Sequence, residues 1–243
     1  MRTHFAGNKL LDDATLRAVL HVDKWLPDDS GRPPSALLLR DAALLSALYY
    51  DWGYMQSEIG PSKVTEAADG PFVDITFTIA NEGKRFRIRK LTAYERDDGE
   101  KKTLADDDVR RRIRPVSGEW FSRKILVEDL TELRTFYRDQ GYAEVEALPE
   151  TELTPSEGIV DIVIPVTRGP LVQIETIVIA GNAKTSTERI RSELRIREGE
   201  LFNETRLQES KRSLESLFRH VEVTLDRGSA PNLTKITFEV AEN

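Results

Sequence analysis

"VDITFTIANEGKRFRIRKLTAYE" (Val73–Glu95) and "VDIVIPVTRGPLVQIETIVIAGN" (Val160–Asn182) write one pattern twice, 87 residues apart. Each stretch alternates between apolar and polar residues, breaks at a glycine, and then alternates again. Alternation with a period of two predicts half-buried β-strands, and the glycine predicts a turn between them. Because the same pair of strands recurs at a fixed distance, we predict a tandem repeat.

Further landmarks recur at nearly the same spacing. An apolar helical stripe and the glycine after it, formed by Leu45, Leu48, Tyr49, Gly53 and Tyr54, return 88 residues later as Leu133, Phe136, Tyr137, Gly141 and Tyr142. The closing strand appears a third time from Lys235, where Ile236 stands 74 residues beyond Ile162. We therefore predict three repeats, over residues 1–82, 83–169 and 170–243.

Each repeat carries the signals of two helices between its first strand and its last two strands. A short helix is predicted after acidic or capping residues, namely Asp12 and Asp13, Asp106 to Asp108, and a capping box of Thr185 and Glu188. A longer helix is predicted to start at Ser35, Ser122 and Asn203, and to end at Gly53 and Gly141 in the first two repeats. The expected fold is α+β, with each β-α-α-β-β repeat a three-stranded mixed sheet that has two helices on one face.

Composition restricts the function. The 243 residues carry a net charge of −7, with a pI of about 5.2, which disfavours binding to nucleic-acid backbones. The absence of cysteine excludes disulfides and thiolate metal sites. No apolar run approaches the roughly 18–20 residues that span a bilayer.

The sequence also lacks the patterns of catalytic and cofactor sites. The three histidines, His4, His21 and His220, are far apart, and no nucleophile elbow, phosphate loop or dinucleotide fingerprint is present. We expect no metal, no cofactor and no enzymatic activity. The one basic cluster, Arg110 to Arg114, is interpreted as a solvated helix face, with contact to anionic lipid headgroups as the alternative.

Five features together resemble POTRA domains, the periplasmic modules of the outer-membrane β-barrel assembly family. They are the β-α-α-β-β order, "GY" after the second helix, "GN" after the first strand, the "EGK" and "RGP" joints, and the tandem array. The C-terminal stretch resembles the last POTRA domain before the barrel in BamA-type proteins. The resemblance implies the three barrel-proximal POTRA domains of a longer protein, held at the outer membrane by a β-barrel after Asn243. Alternatives are a TamA-like translocation protein, a two-partner secretion transporter or a chloroplast import channel.

The resemblance also implies what the chain binds. POTRA arrays dock accessory lipoproteins, guide unfolded outer-membrane protein precursors, and adjoin their own barrel and the membrane surface. An exposed sheet edge can accept a further strand through main-chain hydrogen bonds. We expect that edge at residues 55–64, 143–148 and 221–225, and the candidate residues are Ala143, Glu144, Val145, Glu146, Val221 and Val223.

Two further sites follow from the resemblance and from the joints between repeats. In the family, the loop between the helices of the last repeat contacts a lipoprotein through an acidic residue before a glycine. Here the matching residues are Arg197, Glu198 and Gly199, and Glu198 would pair with a partner arginine. At the joints, Gly83, Gly169 and Pro170 are the candidate hinge residues, and both glycines are expected in conformations that a Cβ atom disfavours.

Overall fold

The computed structural model describes residues 1–25, 32–67 and 73–242. Within these residues the α-helices are α1 (Asp13–Arg17), α2 (Ser35–Asp51), α3 (Asp106–Arg111), α4 (Arg123–Arg138), α5 (Thr187–Ser192) and α6 (Glu204–Glu215), with a short 3-10 helix at Val22–Lys24. The strands are β1 (Arg2–Ala6), β2 (Glu58–Ile59), β3 (Lys63–Glu66), β4 (Val73–Asn81), β5 (Arg87–Glu95), β6 (Glu146–Ala147), β7 (Glu150–Thr154), β8 (Ile159–Thr167), β9 (Gln173–Ala180), β10 (His220–Arg227) and β11 (Leu233–Ala241).

The strands of the described residues form three mixed sheets with the same strand order. In the first sheet, β4 lies between β1, which is parallel to it, and the antiparallel β2 and β3. In the third, β11 lies between the parallel β9 and the antiparallel β10. The middle sheet has the order β5-β8-β6, with β7 also paired to β8. The α+β fold and the β-α-α-β-β order are confirmed. The expectation of three strands is met in the third sheet, whereas the strand after the second helix is broken into two pieces in the other two.

In the first and third repeats, both helices pack on the apolar side chains of the central strand. Leu16 of α1 and Leu45 and Tyr49 of α2 share a core with Ile75 and Phe77 of β4. The same arrangement joins α5, α6 and β11, through the buried side chains Ile190, Leu207, Leu214, Ile236 and Phe238. Alternating residues of a strand face one side, so these rows place both helices on the same face of each sheet.

Side-chain capping sets where several helices begin. Asp12 accepts a hydrogen bond from the N–H of Thr15, and Asn203 accepts one from Arg206, as the sequence predicts. Two of the predicted helix caps, those of α5 and α2, are wrong by one residue. The cap of α5 is Ser186, not Thr185, and its side chain accepts from the Arg189 N–H.

The cap of α2 is Pro34, so Ser35 is already helical. The three aspartates at 106–108 lie inside the first turn of α3, where their negative charge interacts favourably with the positive end of the helix dipole. Gly53 and Gly141 follow the long helices with φ of +89° and +101°, which confirms the predicted glycine endings.

The chain divides into two compact units. One contains Met1–Thr92, Arg114–Glu128 and Glu150–Val163, and the other contains Ala93–Ile113, Asp129–Pro149 and Ile164–Asn243. This division does not test the ranges 1–82, 83–169 and 170–243, which stay predictions.

Candidate partner-binding edges and docking loop

The strand that follows the second helix lies at an edge of each sheet. The sheet orders place β2 and β3, β6 and β7, and β10 on one side of their central strands, and β1, β5 and β9 on the other. An edge strand presents one row of backbone N–H and C=O groups that its own sheet does not pair. The topology therefore agrees with the predicted positions of the edges, although their extents differ from the prediction.

The expected edge at residues 143–148 is wrong at its start. Ala143 and Glu144 lie in a turn, and regular pairing begins only at Glu146. The Val145 N–H donates to the Tyr142 carbonyl (3.2 Å), and the Ala143 N–H donates to the carbonyl of Gly141 (3.0 Å). The turn that follows α4 uses these donors, so Ala143 and Val145 cannot offer them to an added strand.

In the first sheet, the strand after the second helix also begins later than predicted, and it is divided into two pieces. The Ser57 N–H donates to Tyr54, and β2 begins at Glu58. Pro61 then stands between β2 and β3, and Pro149 stands between β6 and β7. Proline has no N–H and interrupts the ladder of backbone hydrogen bonds, so an edge that contains it pairs less readily with another strand.

In the third sheet the edge strand is continuous. Val221 and Val223 lie in β10, which pairs residue by residue with β11 from His220 to Arg227 without a register shift. Val221 is buried and Val223 is half-buried, because this row faces the helices. These two predicted residues therefore lie on a regular edge strand.

The candidate docking loop between α5 and α6 is held by its own acidic residue. Glu198 Oε1 accepts hydrogen bonds from the Ile177 N–H (2.8 Å) and from Arg191 (3.2 Å). The Ile177 N–H and the Arg191 guanidinium hold the pKa of the Glu198 carboxyl below its ordinary value. The side chain is 42% exposed, so the same carboxylate both anchors the loop and reaches solvent.

The two residues beside Glu198 complete this loop. Gly199 has φ of +84° and its N–H donates to the Ile174 carbonyl (2.7 Å), while Arg197 is exposed. The structure therefore brings the three predicted docking residues together at one surface loop. Docking of a partner there stays a prediction.

The joint glycines have the backbone conformation that the sequence predicts. Gly83 and Gly169 have φ of +70° and +73°, which confirms the expectation that a Cβ atom is disfavoured there. The Gly83 N–H donates to the Asn81 side chain (2.9 Å), and Pro170 fixes the chain directly after Gly169. Their role as hinges stays a prediction.

Sequence reasoning missed a buried polar cluster beside one of these joints. The Glu95 carboxylate accepts hydrogen bonds from the Tyr137 hydroxyl (2.6 Å) and the Thr103 N–H (2.9 Å). Arg168, directly before Gly169, lies against Glu95 and donates to both carboxylate oxygens of Asp98 (2.5 and 2.7 Å). Arg168 also lowers the pKa of the Asp98 carboxyl.

A comparison between the repeats could have found this cluster. In the first repeat, Glu82 follows the last strand and accepts from the N–H groups of Lys9 and Leu10 (2.9 Å each). In the third, Glu242 accepts from those of Lys184 and Thr185 in the same way. The middle repeat instead has Arg168 after its last strand and Glu95 at the position of Asn8 and Asn182. The signal in the sequence is that the middle repeat has an arginine where the other two have a glutamate, and a glutamate where they have an asparagine.

The remaining sequence candidates are the possible metal ligands and the basic cluster. Among the residues that the structure describes, no three His, Asp or Glu side chains are grouped so that they could hold a metal ion. Within the basic cluster, Arg111 pairs with Asp108 (2.6 Å) and Arg114 with Glu128 (2.8 Å), as on a solvated face. No helix in the described part of the chain has the length and apolarity needed to cross a membrane.

Comparisons with known proteins agree with this architecture. The family model for POTRA, described as surface antigen variable number repeat, matches residues 98–169 and 172–243, which is more than half of the chain. The chain is 26% identical over 217 residues to the outer membrane protein assembly factor BamA of Nitratidesulfovibrio vulgaris, covering 86% of this chain and 26% of that protein. BamA of Neisseria meningitidis serogroup B is 26% identical over 222 residues, covering 88% and 27%. The chain thus spans about a quarter of the length of these curated relatives.

A solved structure has the same fold. The crystal structure of Haemophilus influenzae BamA POTRA3-5 superposes with a TM-score of 0.80 at 18% identity, and the match covers 99% of this chain and 94% of that chain. The fold defines a class, tandem α+β modules in which the strand after the second helix lies at an edge of the sheet. The chain belongs to the POTRA family.

Proposed function

We propose that this chain is the periplasmic, partner-binding part of an outer-membrane protein assembly factor, where it receives extended segments of unfolded precursors at its sheet edges. The observation that carries the proposal is the position of β10 and its counterparts at sheet edges beside the second helix. Strand addition uses main-chain hydrogen bonds and therefore tolerates many client sequences. The role needs binding and no chemical reaction.

The relatives support the cellular setting of this proposal. Both relatives described above carry the name outer membrane protein assembly factor, and they match along most of this chain. A factor that handles many precursors needs a recognition mode that does not depend on particular side chains. Backbone pairing meets that need, since every residue except proline offers the same donor and acceptor.

Strand addition is tested by titrating the ¹⁵N-labelled chain with an extended peptide whose residues alternate between apolar and polar. Shifts at β10, β6 and β7, or β2 and β3 are expected. A control peptide of the same length, with proline replacing every second residue, lacks those donors and should bind far more weakly. Shifts on the exposed faces of α2, α4 or α6 would mean that clients bind as helices, and the proposal would be wrong.

We also propose that the Glu198 loop docks an accessory outer-membrane lipoprotein. Glu198 is exposed enough to share its carboxylate with a partner arginine, and charge-assisted pairs of this kind are strong and directional. Glu198→Gln keeps an oxygen for the Ile177 N–H while removing the charge. It should weaken binding of a purified lipoprotein from the same organism, whereas the control Glu209→Gln on the exposed side of α6 should not. Equal binding by both variants would exclude this loop.

A further inference from the structure

The three edges are not equally open. In the first two sheets the edge consists of pieces of two, four, two and five residues, separated at Pro61 and Pro149. Only β10, among the edges of this kind in the described residues, runs for eight residues in unbroken register. Short pieces and prolines are the devices by which proteins protect an edge from pairing. The third sheet lacks that protection.

The backbone groups that β10 turns outward can be identified. The Gly228 N–H donates to the Leu233 carbonyl (2.9 Å), and the register continues from that pair without a shift. In an antiparallel ladder the hydrogen-bonded pairs recur at every second residue. Glu222, Thr224 and Asp226 therefore bond to β11. The N–H and C=O groups of the intervening residues, Val221, Val223 and Leu225, point away from the sheet.

A groove with both apolar and charged lining residues adjoins the same part of the strand, and its charged residues include Arg138, Lys211 and Arg227. A cavity of about 450 Å³ lies between β10 and α6, and its apolar lining includes Phe202, Leu207, Val223, Leu225 and Leu233. Leu225 is 44% exposed although it belongs to the row that faces the helices. An added strand would continue this row, so its alternate side chains would enter the groove beside Leu225.

The opposite face of β10 has two acidic residues facing each other at one position, whereas Asp226 on the same face stands across from Lys235. Glu222 stands directly across from Glu239 in the register, and both are exposed. No ion pair of either residue is found within the described part of the chain. Like charges at opposed positions of a sheet are unfavourable. A lysine or arginine on the next strand would lie beside Glu222 and relieve the repulsion.

From these observations we propose that β10 is the principal acceptor edge, and that its ligand is an extended segment of alternating apolar and polar residues with a lysine or arginine on the polar face. The apolar residues fill the groove, the backbone pairs with Val221, Val223 and Leu225, and the cation lies by Glu222 and Glu239. This inference rests on the proposed strand addition and specifies where it occurs and which segments it selects.

The test uses three synthetic peptides of equal length with the ¹⁵N-labelled chain. The first alternates valine or leucine with threonine and has one central arginine, the second has glutamate at that position, and the third contains the residues of the first in non-alternating order. The first should shift residues 221–227. The second should bind about two- to fivefold more weakly, as expected for an exposed ion pair. The third should not produce this pattern of shifts.

Matched variants separate the backbone from the side chain. Val223→Pro removes an outward N–H, whereas Val223→Ala shortens the same side chain and keeps that donor. Val223→Pro should weaken binding of the first peptide by about three- to tenfold relative to Val223→Ala. Glu222→Gln should abolish the preference for arginine over glutamate. It leaves the backbone intact, so it tests the proposal even if the proline variant does not fold.

The outcomes distinguish the two proposals. Shifts concentrated at β6 and β7, or at β2 and β3, would overturn β10 as the principal edge and leave strand addition standing. Equal affinity for the arginine and glutamate peptides would overturn the charge selection. Binding of no alternating peptide to any edge would overturn strand addition itself.

Discussion

Arg168 Nε lies 3.0 Å from Glu95 Oε1, and only 4% of the arginine side chain and none of the glutamate side chain is exposed. The contact is an ion pair without hydrogen-bond geometry at Nε, and the other arginine nitrogens donate to Asp98 and to the Lys101 carbonyl (2.7 Å). The Tyr137 hydroxyl completes the cluster, and burial together with the Glu95 carboxylate raises the pKa of Tyr137. Through Arg168, Glu95 and Tyr137 the residue after β8, the end of β5 and the last turn of α4 are thus held together.

Removing Arg168 should destabilise the chain far more than removing an exposed arginine. Arg168→Met leaves Glu95 buried without its cation, and breaking a buried pair costs on the order of 3–5 kcal/mol. Arg89→Met removes the pairing with Asp161 at a site where half of the arginine side chain is exposed, so solvent screens the pair and the loss of stability should be much smaller. Urea unfolding followed by circular dichroism gives both values.

A second variant isolates the cause. In the double variant Arg168→Met with Glu95→Gln the buried charge is gone, so part of the lost stability should return. Amide hydrogen exchange at Ile164 and Val166 would locate the change in β8. If Arg168→Met costs no more than Arg89→Met, the pair is not a stabilising element of the fold.

The lowered pKa of Glu198 predicts a pH-dependent contribution to stability. Because its folded-state value lies below the unfolded value of about 4.3, the carboxylate stabilises the fold above that pH. The contribution is lost as the pH falls through the lowered value. The difference in urea midpoint between the wild type and Glu198→Gln should therefore be positive at pH 7 and shrink toward pH 3. The exposed Glu209→Gln should show no such trend, and a pH-independent difference for Glu198→Gln would contradict the assignment.

Two glycines with the same backbone conformation should tolerate alanine differently. Gly181 and Gly199 have φ of +85° and +84°, so alanine pays the same cost of about 1–2 kcal/mol for left-handed backbone at both. A Cβ at Gly181 would also collide with the Val240 carbonyl oxygen, whereas a Cβ at Gly199 meets open space. Gly181→Ala should thus lose a further ~2 kcal/mol. Thermal melts of the two variants give the comparison, and equal losses would show that the backbone of β11 moves aside freely.

The hinge prediction for Gly83 and Gly169 is tested by valine at each position. We expect Gly83→Val and Gly169→Val to change the small-angle scattering profile while circular dichroism stays close to wild type. Gly99→Val is the control, since Gly99 also has positive φ (+85°) and a Cβ there would meet nothing within 4 Å. If all three profiles match the wild type, these glycines are not hinges.

Local pattern was sufficient for most of the architecture. The alternation around Ile75 and Ile162, and the glycines at 53 and 141, predict the element order because strand and helix periods are local properties. The start of the middle edge strand was not predictable in this way. The N–H of Val145 is taken by Tyr142, and an alternating sequence does not reveal which donors a preceding turn consumes.

The buried cluster was missed for a different reason. Glu95 and Arg168 are 73 residues apart in the chain, and the "RGP" joint that begins at Arg168 does not indicate a pairing with Glu95. Their meeting depends on strand pairing between β5 and β8, which periodicity does not report. The selection of β10 likewise depends on continuity of register, a property of the folded sheet and not of its residue pattern.

The carboxylates of Glu222 and Asp226 on β10 also affect whether two copies of this protein associate. An open edge that accepts a foreign strand is also a surface for self-association. Two copies joined antiparallel through β10 about Thr224 would place Glu222 of one opposite Asp226 of the other, and like charges in that position repel. If β10 is the acceptor edge that we propose, the same carboxylates disfavour self-pairing of that edge, and charge-neutral replacements at both positions should raise the dimer fraction measured by sedimentation.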